Sequence, residues 1–346
     1  MIVLPAPYSA HRGRLEDLEE IWRLLVAVSL AEAGTPGLGF DEVENWLTGF
    51  PIVIGEDVIL VRDEEGALVG LEIFHMRDPF VRPVGIGGVH LDHVGRGLGS
   101  ALVGWALDRA AARLPKAPAD ARVVLVIHIA AGHEPSETLM REKGFAVTRY
   151  FIDMEIEFTG APAAAEIPDG ITIREVEPSA DIPALADALR ESFRDHYGYV
   201  ETPQQRQIDQ LNHWASAPSH DPALWWVAEA DGEIVGFNLC EEASEGNQEI
   251  GLVATLGVLR KYRRRGLGRA LLLTAFEAFH DRGKKGAALG VDADSLTGAT
   301  RLYESVGMRP GARYSAWEFE IRPGIEMATF EIAGDEDGSA GPVGAR

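Results

Sequence analysis

The stretch RKYRRRGLGR, residues 260–269, places six cationic side chains within ten positions of a chain that is otherwise strongly acidic. It follows the apolar run IGLVATLGVL, residues 250–259, and precedes ALLLTAF, residues 270–276. This order predicts a strand, a glycine turn and then a helix. A helix that begins at such a turn offers free backbone N–H groups and the positive end of its dipole, and arginines add paired donors for phosphate oxygens. The stretch therefore predicts an anion site, most simply one for a pyrophosphate.

Two common phosphate-binding templates do not fit this turn. A Walker A loop ends in Gly-Lys-Ser/Thr, but Arg269 and Ala270 follow the second glycine here. A dinucleotide fingerprint needs a third glycine where Leu271 stands. What remains is the pattern R-x-x-G-x-G-x-A, formed by Arg263, Gly266, Gly268 and Ala270.

A second motif follows on the C-terminal side, in LGVDADSLTGATRLYESVGM, residues 289–308. It reads as a strand, a polar turn, a short helix carrying Leu302 and Tyr303, and then Gly-Met. Together the two motifs resemble the GNAT superfamily of N-acetyltransferases. The resemblance covers nearly all of residues 170–322 and, more weakly, residues 13–158. It implies that the glycine turn binds the pyrophosphate of coenzyme A, with acetyl-CoA as co-substrate.

The chain also repeats itself internally. The runs DVILVRDEEGALVGLEIF (57–74) and WWVAEADGEIVGFNLC (225–240) both read as hairpins. VHLDHVGRGLGSALV (89–103) then matches VLRKYRRRGLGRALL (258–272), and SETLMREKGF matches GATRLYESVGM in the same order. We therefore expect an α/β fold of two tandem GNAT-like domains, each with a mixed central sheet flanked by helices. The expected boundaries are domain one at 1–160, a linker at 161–167, domain two at 168–325, and an acidic, disordered tail at 326–346.

The resemblance implies roles for particular residues of the second half. Tyr303 would be the acid that protonates the leaving thiolate, because a phenol with its ordinary pKa near 10 stays protonated at neutral pH. The backbone of the strand before the turn would hold the pantetheine arm, and the Val258 N–H would bind the thioester carbonyl. The full expected cofactor-binding set is Leu256, Gly257, Val258, Arg263, Arg264, Arg265, Gly266, Leu267, Gly268, Arg269, Ala270 and Ser295.

The base that deprotonates the acceptor amine is less clear from the sequence. Many relatives place a glutamate on the central strand, where this chain has Ala254 and Thr255. Glu249 is the nearest carboxylate and is the expected catalytic base. A water chain to Glu249, Glu241 or Glu242 and direct loss of the proton to solvent are alternatives. For the acceptor site we expect FRDHYGYVETP, residues 193–203, to contribute Asp195, His196 and Tyr197.

The first half has the same glycines but different chemistry. Its turn reads HVGRGLGS, residues 93–100, with Val94 in place of the first arginine. Met140 stands at the position of Tyr303, and methionine has no proton to donate. This half is therefore expected to be non-catalytic and to shape the acceptor cleft. It keeps a second possible CoA site, made of Val89, Arg96, Gly97, Gly99 and Ser100.

Composition limits the other classes of partner. The chain has 346 residues with 54 Asp+Glu against 32 Lys+Arg, a formal net charge of −22, which argues against a nucleic-acid partner. One cysteine, Cys240, excludes an internal disulfide, and the histidines of HLDH (90–93) lack the spacing of a zinc motif, so no metal is expected. No apolar run approaches the ~18–20 residues of a membrane span, and the N-terminus has the wrong order for a secretory signal. These features predict a cytoplasmic protein without a membrane partner.

The sequence as a whole predicts an acetyl-CoA-dependent N-acetyltransferase. It would move an acetyl group to a primary amine of a small molecule by direct attack in the C-terminal domain. The alternative is a non-catalytic acyl-CoA-binding sensor or scaffold, which the missing strand carboxylate favours and Tyr303 opposes. Transfer of a longer acyl group, the identity of the acceptor, and the choice between monomer and homodimer stay open.

Overall fold

The computed structural model describes residues 2–49, 52–217, 220–244, 247–294 and 298–330. The strands of the first half are β1 (Ser9–Arg12), β2 (Val58–Arg62), β3 (Leu68–His75), β4 (Val84–Val89), β5 (Val123–Ala130) and β6 (Ala146–Glu157). Its helices are α1 (Leu18–Ala33), α2 (Phe40–Gly49), α3 (Ile54–Asp57), α4 (Leu98–Arg113) and α5 (Glu134–Glu142).

The second half repeats this order. Its strands are β7 (Thr172–Glu175), β8 (Tyr199–Val200), β9 (Trp225–Ala230), β10 (Glu233–Glu241), β11 (Ile250–Val258), β12 (Gly286–Asp292), β13 (Arg309–Arg322) and β14 (Ala328–Thr329). Its helices are α6 (Pro178–Phe193), α7 (Gln204–Ala215), α8 (Leu267–Asp281) and α9 (Ala299–Ser305).

The two halves share one sheet of twelve strands, in the order β1-β2-β3-β4-β5-β13-β6-β12-β11-β10-β9-β7. The last long strand of each half lies in the other half. Strand β13 pairs antiparallel with β5, placing Trp317 opposite Ile127, and β6 pairs antiparallel with β12, placing Met154 opposite Leu289. Strands β13 and β6 also pair with each other at the centre. Backbone hydrogen bonds therefore run without a break from one half to the other.

Residues after β13 partly join the fold. Ala328 and Thr329 form β14, which pairs antiparallel with β8 at Val200 and Tyr199. Residues 326–330 are thus ordered, which corrects the expectation that a disordered tail begins at 326. The rest of the expected tail, residues 331–346, lies outside the described residues.

Helices cover both faces of the sheet because each carries an apolar stripe. In α1, Ile21, Leu24, Leu25 and Val28 recur at helical spacing and are all buried against β2 and β3. Helix α8 is apolar on most sides. Its large buried side chains are Leu271, Leu272, Leu273, Phe276 and Phe279. Each such side chain contributes about 1.5–3 kcal/mol on burial. These helices hold the glycine turns in place.

Each half contains one pair of parallel strands that separates towards the glycine turn. Strand β11 pairs with β12 only from Ile250–Gly286 to Leu252–Ala288, so residues 253–258 lie beyond the ladder. Strand β4 pairs with β5 only at Val84–Val126 and Gly85–Ile127. We call these gaps the second-half opening and the first-half opening. Within the described part of the chain, no helix is both long and apolar enough to cross a bilayer.

Candidate active site

The glycine turn of the second half has alternating backbone conformations. Arg263 is extended, with φ −65° and ψ 160°, whereas Arg264 and Gly266 are left-handed, with φ 60° and 85°. Helix α8 begins at Leu267, so its first N–H groups have no carbonyl partner within the helix. Successive N–H groups in such an alternation form a concave nest that binds anions. The left-handed conformation of Arg264 is one that residues other than glycine rarely adopt, because it is sterically unfavourable for them.

The turn of the first half has the same shape. Gly95 and Gly97 are left-handed, with φ 78° and 82°, and α4 begins at the next residue, Leu98. The last glycine of each turn serves close packing. A Cβ on Gly99 would lie 3.0 Å from Cδ2 of Leu139, and a Cβ on Gly268 would lie 3.0 Å from Cδ2 of Leu302. The two turns are therefore structural equivalents, one with and one without the cluster of arginines.

The structure gives the arginines of the second turn different surroundings. Arg263 donates from Nε to the Val258 carbonyl at 3.0 Å, from Nη2 to the Ser192 carbonyl at 2.9 Å, and from Nη1 to Asp195 at 2.8 Å. Asp195 is 6% exposed and also accepts from Arg260. Burial raises the pKa of Asp195, but the hydrogen bonds from Arg260 and Arg263 outweigh it, and the net shift is downward.

This network corrects two expectations. Arg263 was expected to face the pyrophosphate and Asp195 to face the acceptor, but their described contacts tie the turn to the end of α6. Of the other expected phosphate ligands, Arg264 and Arg265 are exposed and Arg269 is half-buried. All three lie within or next to the turn in sequence and add positive charge there, and the Arg265 guanidinium lies 5.4 Å from the centroid of the Tyr262 ring.

The backbone of Val258 faces the second-half opening. Leu259 N donates to the Val235 carbonyl at 3.0 Å, which makes these two residues a hydrogen-bonded pair. In an antiparallel ladder, hydrogen-bonded and non-hydrogen-bonded pairs alternate. The next pair along the strands, Val258 and Gly236, is therefore not hydrogen-bonded, and the backbone N–H and C=O groups of each residue point away from the other strand. The N–H of Val258 consequently points away from β10 and towards the space between β11 and β12. By the same reasoning, the N–H of Val89 points into the first-half opening.

The neighbouring residue Gly257 is required by its packing. A Cβ at this position would lie 2.2 Å from Cζ of Phe237 and 2.7 Å from Oγ of Ser192. Any side chain would push β11 away from α6, whereas Leu256 and Val258 on either side are half-buried. The strand residues Leu256, Gly257 and Val258 thus lie along one side of the opening.

Tyr303 lies on α9, one residue after the leucine that packs against Gly268. Its side chain is 8% exposed, and burial raises its pKa to about 12. No hydrogen bond reaches its hydroxyl from any residue that the structure describes. Met140 of the first half, 2% exposed, is its equivalent, because Phe145 N donates to the Met140 carbonyl as Met308 N donates to the Tyr303 carbonyl. The half with the arginine cluster is therefore also the half with a hydroxyl at this position.

The structure places Glu249 away from the other expected residues. It precedes β11, its carbonyl accepts from Lys285 N at 2.7 Å, and its exposed carboxylate pairs with the Lys285 ammonium. This is the closed end of the parallel pair, about 30 Å along the strand from Val258 at 3.3 Å per residue. The position argues against the expected role as catalytic base. Ser295, the remaining expected cofactor contact, lies outside the described residues.

His196 and Tyr197 lie at the seam between the halves. The His196 ring packs on Phe193 with centroids 4.3 Å apart. The Tyr197 ring is half-buried between the Arg149 guanidinium, 4.6 Å from its centroid, and the Phe330 ring, 4.9 Å away. These side chains therefore border the central part of the sheet, where β6 and β13 meet.

A cavity of about 990 Å³ lies between the halves and is lined by both of them. Ala254 and Thr255 of β11 open onto it, next to Leu256. Most of its polar lining comes from the first half: Glu32, His75, Asp78, Arg82 and His128, with Gln207 and Gln210 from α7. The sequence did not reveal these residues, because their motifs carry no signal of their own and only the pairing of the halves brings them together. We call this space the central cavity.

A second cavity, of about 510 Å³, occupies the first-half opening. It is lined by Val89, Gly97, Gly99 and Ser100, four of the five residues expected for a second CoA site, and by Met140. The fifth, Arg96, is exposed and donates to the Tyr8 hydroxyl at 2.9 Å. This cavity shares Glu32, Gly87, His128 and Ile129 with the central cavity, so the two spaces adjoin.

A buried carboxylate that the sequence analysis missed lines this second cavity. Glu72 on β3 is 4% exposed, and burial raises its pKa to about 8. Its oxygens lie where side chains of Gly85 and Gly87 would be, 2.5 Å from an ideal Cβ at either position. Among the described residues, nothing hydrogen-bonds its Oε1. The equivalent residue of the second half is Asn238, whose Nδ2 donates to the Leu271 carbonyl at 3.0 Å.

No group of three or more His, Cys, Asp or Glu side chains in the described ranges is arranged to hold a metal ion. The openings, nests and cavities above are built from backbone N–H groups, arginines and polar side chains. Such an arrangement suits an extended anionic ligand that enters at the nest and reaches the central cavity through the gap between two strands.

Comparisons with known proteins point to the same class. The sequence model described as Acetyltransferase (GNAT) family matches residues 183–308. The mycothiol acetyltransferase of Acidothermus cellulolyticus is 30% identical over 73% of this chain and 76% of its own, and that of Streptomyces avermitilis is 32% identical over 69% and 72%. The corresponding protein of Thermomonospora curvata is 30% identical over 81% of this chain and 88% of its own.

Solved structures agree with this grouping. A GCN5-related N-acetyltransferase from Sphaerobacter thermophilus has a TM-score of 0.78 at 32% identity, covering 94% of this chain and 99% of its own. A tandem GNAT protein from the clavulanic acid biosynthesis pathway has a TM-score of 0.67 at 15% identity, covering 92% and 100%, which supports the fold alone. With two glycine turns, two openings and relatives that match across both halves, the chain belongs to the GNAT family of N-acetyltransferases and is a tandem member of it.

Proposed function

We propose that the protein transfers the acetyl group of acetyl-CoA to a primary amine of a small molecule, and that the second half carries out the chemistry. The observation that carries this proposal is the Val258 N–H, which points away from β10 towards the second-half opening on the strand that leads into the arginine-rich turn. The first half has the equivalent N–H and nest but neither the arginine cluster nor the hydroxyl of Tyr303. The second half thus combines a site for a diphosphate, a donor for a thioester carbonyl and a proton source.

Different residues of the second half are proposed to bind different parts of acetyl-CoA. The N–H groups at the start of α8, with Arg264, Arg265 and Arg269, would hold the diphosphate of CoA. The backbone of Leu256, Gly257 and Val258 would hold the pantetheine arm. A hydrogen bond from Val258 N–H to the thioester oxygen would stabilise the charge that develops there by ~3 kcal/mol.

Tyr303 is proposed to protonate the leaving sulfur. Because burial raises its pKa to about 12, the phenol keeps its proton throughout the range in which enzymes are assayed. The ring is held rigidly by the core around α8 and α9, so the hydroxyl needs little reorganisation. Methionine at the equivalent position of the first half supplies no proton, which supports a non-catalytic role for that half.

The acceptor amine is proposed to bind in the central cavity. Ala254 and Thr255, the residues that precede the pantetheine wall, line it. The relatives that bear the name mycothiol acetyltransferase make a mycothiol-related amine the first acceptor to test. The first half is proposed to bind a second CoA in its own opening while its polar side chains shape the acceptor site.

The test is release of free thiol from acetyl-CoA in the presence of a panel of small primary amines, including mycothiol precursors. Tyr303→Phe should lower kcat by about 100-fold, in the range of a lost general acid, with CoA binding unchanged. Met140→Leu, the matched change in the first half, should leave kcat within about twofold. If CoA binds but no amine on the panel elicits thiol release, the protein is a CoA-binding sensor rather than an enzyme.

A further inference from the structure

The proposed reaction lacks a base on β11, where Ala254 and Thr255 stand, and the strand exchange supplies a carboxylate nearby. Strand β6 of the first half lies beside β12 of the second, with Asp153 directly opposite Gly290. The ladder between β12 and β11 ends at Ala288, so Gly290 borders the second-half opening. A residue from the first half therefore flanks the opening of the second.

The carboxylate of Asp153 lies on the face of the sheet that borders the central cavity. Side chains alternate along a strand, and Met154 is buried on the opposite face, in the core beneath α8. Phe151, on the same face as Asp153, contacts His128, which lines the central cavity, with ring centroids 5.5 Å apart. The Tyr314 hydroxyl donates a hydrogen bond to Asp153, and Tyr314 itself lines the cavity.

Gly290 leaves space for the carboxylate to reach across β12. The residue is exposed and has no side chain, and an ideal Cβ there would lie 3.8 Å from Asp153 Oδ1. A larger residue at 290 would stand between Asp153 and the opening. Asp153 on β6 is therefore separated from β11, the strand of the proposed thioester site, by β12 alone. At this position β12 has a glycine, and Asp153 lies on the face that borders the central cavity.

On the basis of the proposed acetyl transfer in the second half, we propose that Asp153 is the general base for the acceptor amine. Its carboxylate takes one proton from the ammonium, directly or through one water. The neutral nitrogen attacks the thioester carbonyl, so that a C–N bond forms as the C–S bond breaks. The leaving sulfur takes the proton of Tyr303, and the second proton of the nitrogen restores the phenol. Asp153 then releases its proton to solvent.

The surroundings of Asp153 suit this role. Burial raises the pKa of Asp153 to about 6, with the hydrogen bond from Tyr314 acting against the shift and the charge of Glu155 adding to it. Other charged groups lie on the neighbouring strands: Arg309, Arg313, Glu318, Glu320 and Arg322 on β13 and Asp292 on β12. Asp292 is held by Arg149 at 2.7 and 2.8 Å. A carboxylate with this pKa is ionised at pH 7 and is a stronger base than an ordinary aspartate.

In the first half, the carboxylate on the exchanged strand has an arginine partner. Its exchanged strand, β13, presents Ala316 opposite His128 and Glu318 opposite Val126 on the same face. Glu318 is 8% exposed and is neutralised by Arg82 at 2.6 Å. The exchange of strands is therefore asymmetric in its chemistry. The carboxylate that it brings to the first half is ion-paired with Arg82, whereas Asp153 has the Tyr314 hydroxyl as its hydrogen-bond partner.

The experiment measures kcat/KM against pH for the full-length wild type, Asp153→Asn and Glu155→Gln. The wild-type rate should fall as pH drops through about 6, because the protonated carboxyl cannot accept a proton. Asp153→Asn should be slower by about 100-fold at pH 7 and should lose that acid limb. Glu155→Gln, which changes an exposed carboxylate on the same strand, should keep the wild-type limb with a slightly lower midpoint.

A second readout is independent of how much variant folds. An acceptor of low amine pKa, such as methoxyamine, is already neutral and needs no base, so its rate relative to a normal amine should rise at least tenfold in Asp153→Asn. An unchanged ratio, or an acid limb that persists in Asp153→Asn, overturns the assignment while leaving the acetyl transfer intact. Absence of transfer by the wild type overturns the proposed function and the base together.

Discussion

Arg263 Nη1 and Asp195 Oδ2 lie 2.8 Å apart, and this contact joins the glycine turn ahead of α8 to the end of α6. Arg260 pairs with the same carboxylate, which is 6% exposed. The pair therefore connects the proposed nucleotide site to the helix that faces the central cavity. Arg263 has a structural role in this contact, whereas the exposed Arg264 and Arg265 are proposed to bind CoA, and substitutions can distinguish the two roles.

Replacing Asp195 with Asn should destabilise the second half and loosen the turn. The change leaves Arg263 partly buried without its charged partner, a loss of about 3 kcal/mol for a buried ion pair broken on one side. Asp187→Asn is the matched control, because its ion pair with Arg190 is exposed and worth at most about 0.5 kcal/mol. Urea denaturation measures both, and equal free energies of unfolding for the two variants would contradict the structural role of Asp195.

Replacing Arg264 with Gly should raise stability while it weakens CoA binding. Arg264 is left-handed, with φ 60°, a conformation that costs a non-glycine residue about 1 kcal/mol and that Gly95 adopts freely in the first half. Loss of its guanidinium should weaken CoA binding several-fold, more at low salt than at high salt. Thermal denaturation and calorimetry measure the two effects.

Arg265→Gly provides the comparison for this prediction. Arg265 is not among the residues with positive φ, so glycine brings no relief there and should lower stability slightly while weakening CoA binding to a similar degree. If both variants change stability in the same direction, the strain assigned to Arg264 is wrong.

Filling the last glycine of either turn, Gly99 or Gly268, should close one site at a time. A Cβ at Gly268 or Gly99 already lies 3.0 Å from a leucine, so valine at either position should push the helix start out of place. We expect two CoA molecules per wild-type chain by calorimetry and one per chain in either variant. Gly268→Val should lose acetyl transfer, whereas Gly99→Val should keep it; the reverse pattern would assign the chemistry to the first half.

Glu72 should make stability fall as pH rises. Because its pKa is about 8 in the folded protein and its ordinary value is 4.5, folding favours the protonated form. The contribution is fully present below about pH 4.5 and is lost as pH rises towards 8, at up to ~1.4 kcal/mol per pH unit. Glu72→Gln should remove this slope and be the more stable variant at pH 8.5. Parallel denaturation curves of wild type and variant at pH 5.5 and 8.5 would show that Glu72 does not titrate in this way.

The sequence motifs predicted local conformation where that conformation depends only on neighbouring residues. The glycines at 97 and 266 indicated left-handed turns at helix starts, and both are left-handed. The stretch with Leu302 and Tyr303 predicted a short helix, and both residues lie on α9; that Leu302 packs on Gly268 is a finding of the structure. Family membership followed from these local patterns. The same reasoning could not separate Arg263 from Arg264, because the direction of each guanidinium depends on α6, far away in the chain.

What the sequence by itself determined is the repeated unit: turns, helix starts and strand periodicities are set within a few residues by backbone sterics and by the alternation of apolar side chains. The tertiary structure alone decided which strands are exchanged, where the central cavity lies, and that Asp153 stands beside Gly290 of the other half. The physical reason is that the exchanged strands pair residues more than one hundred positions apart, such as Asp153 with Gly290. The alternation along β6 specifies which side chains share a face, but not which strand they will meet.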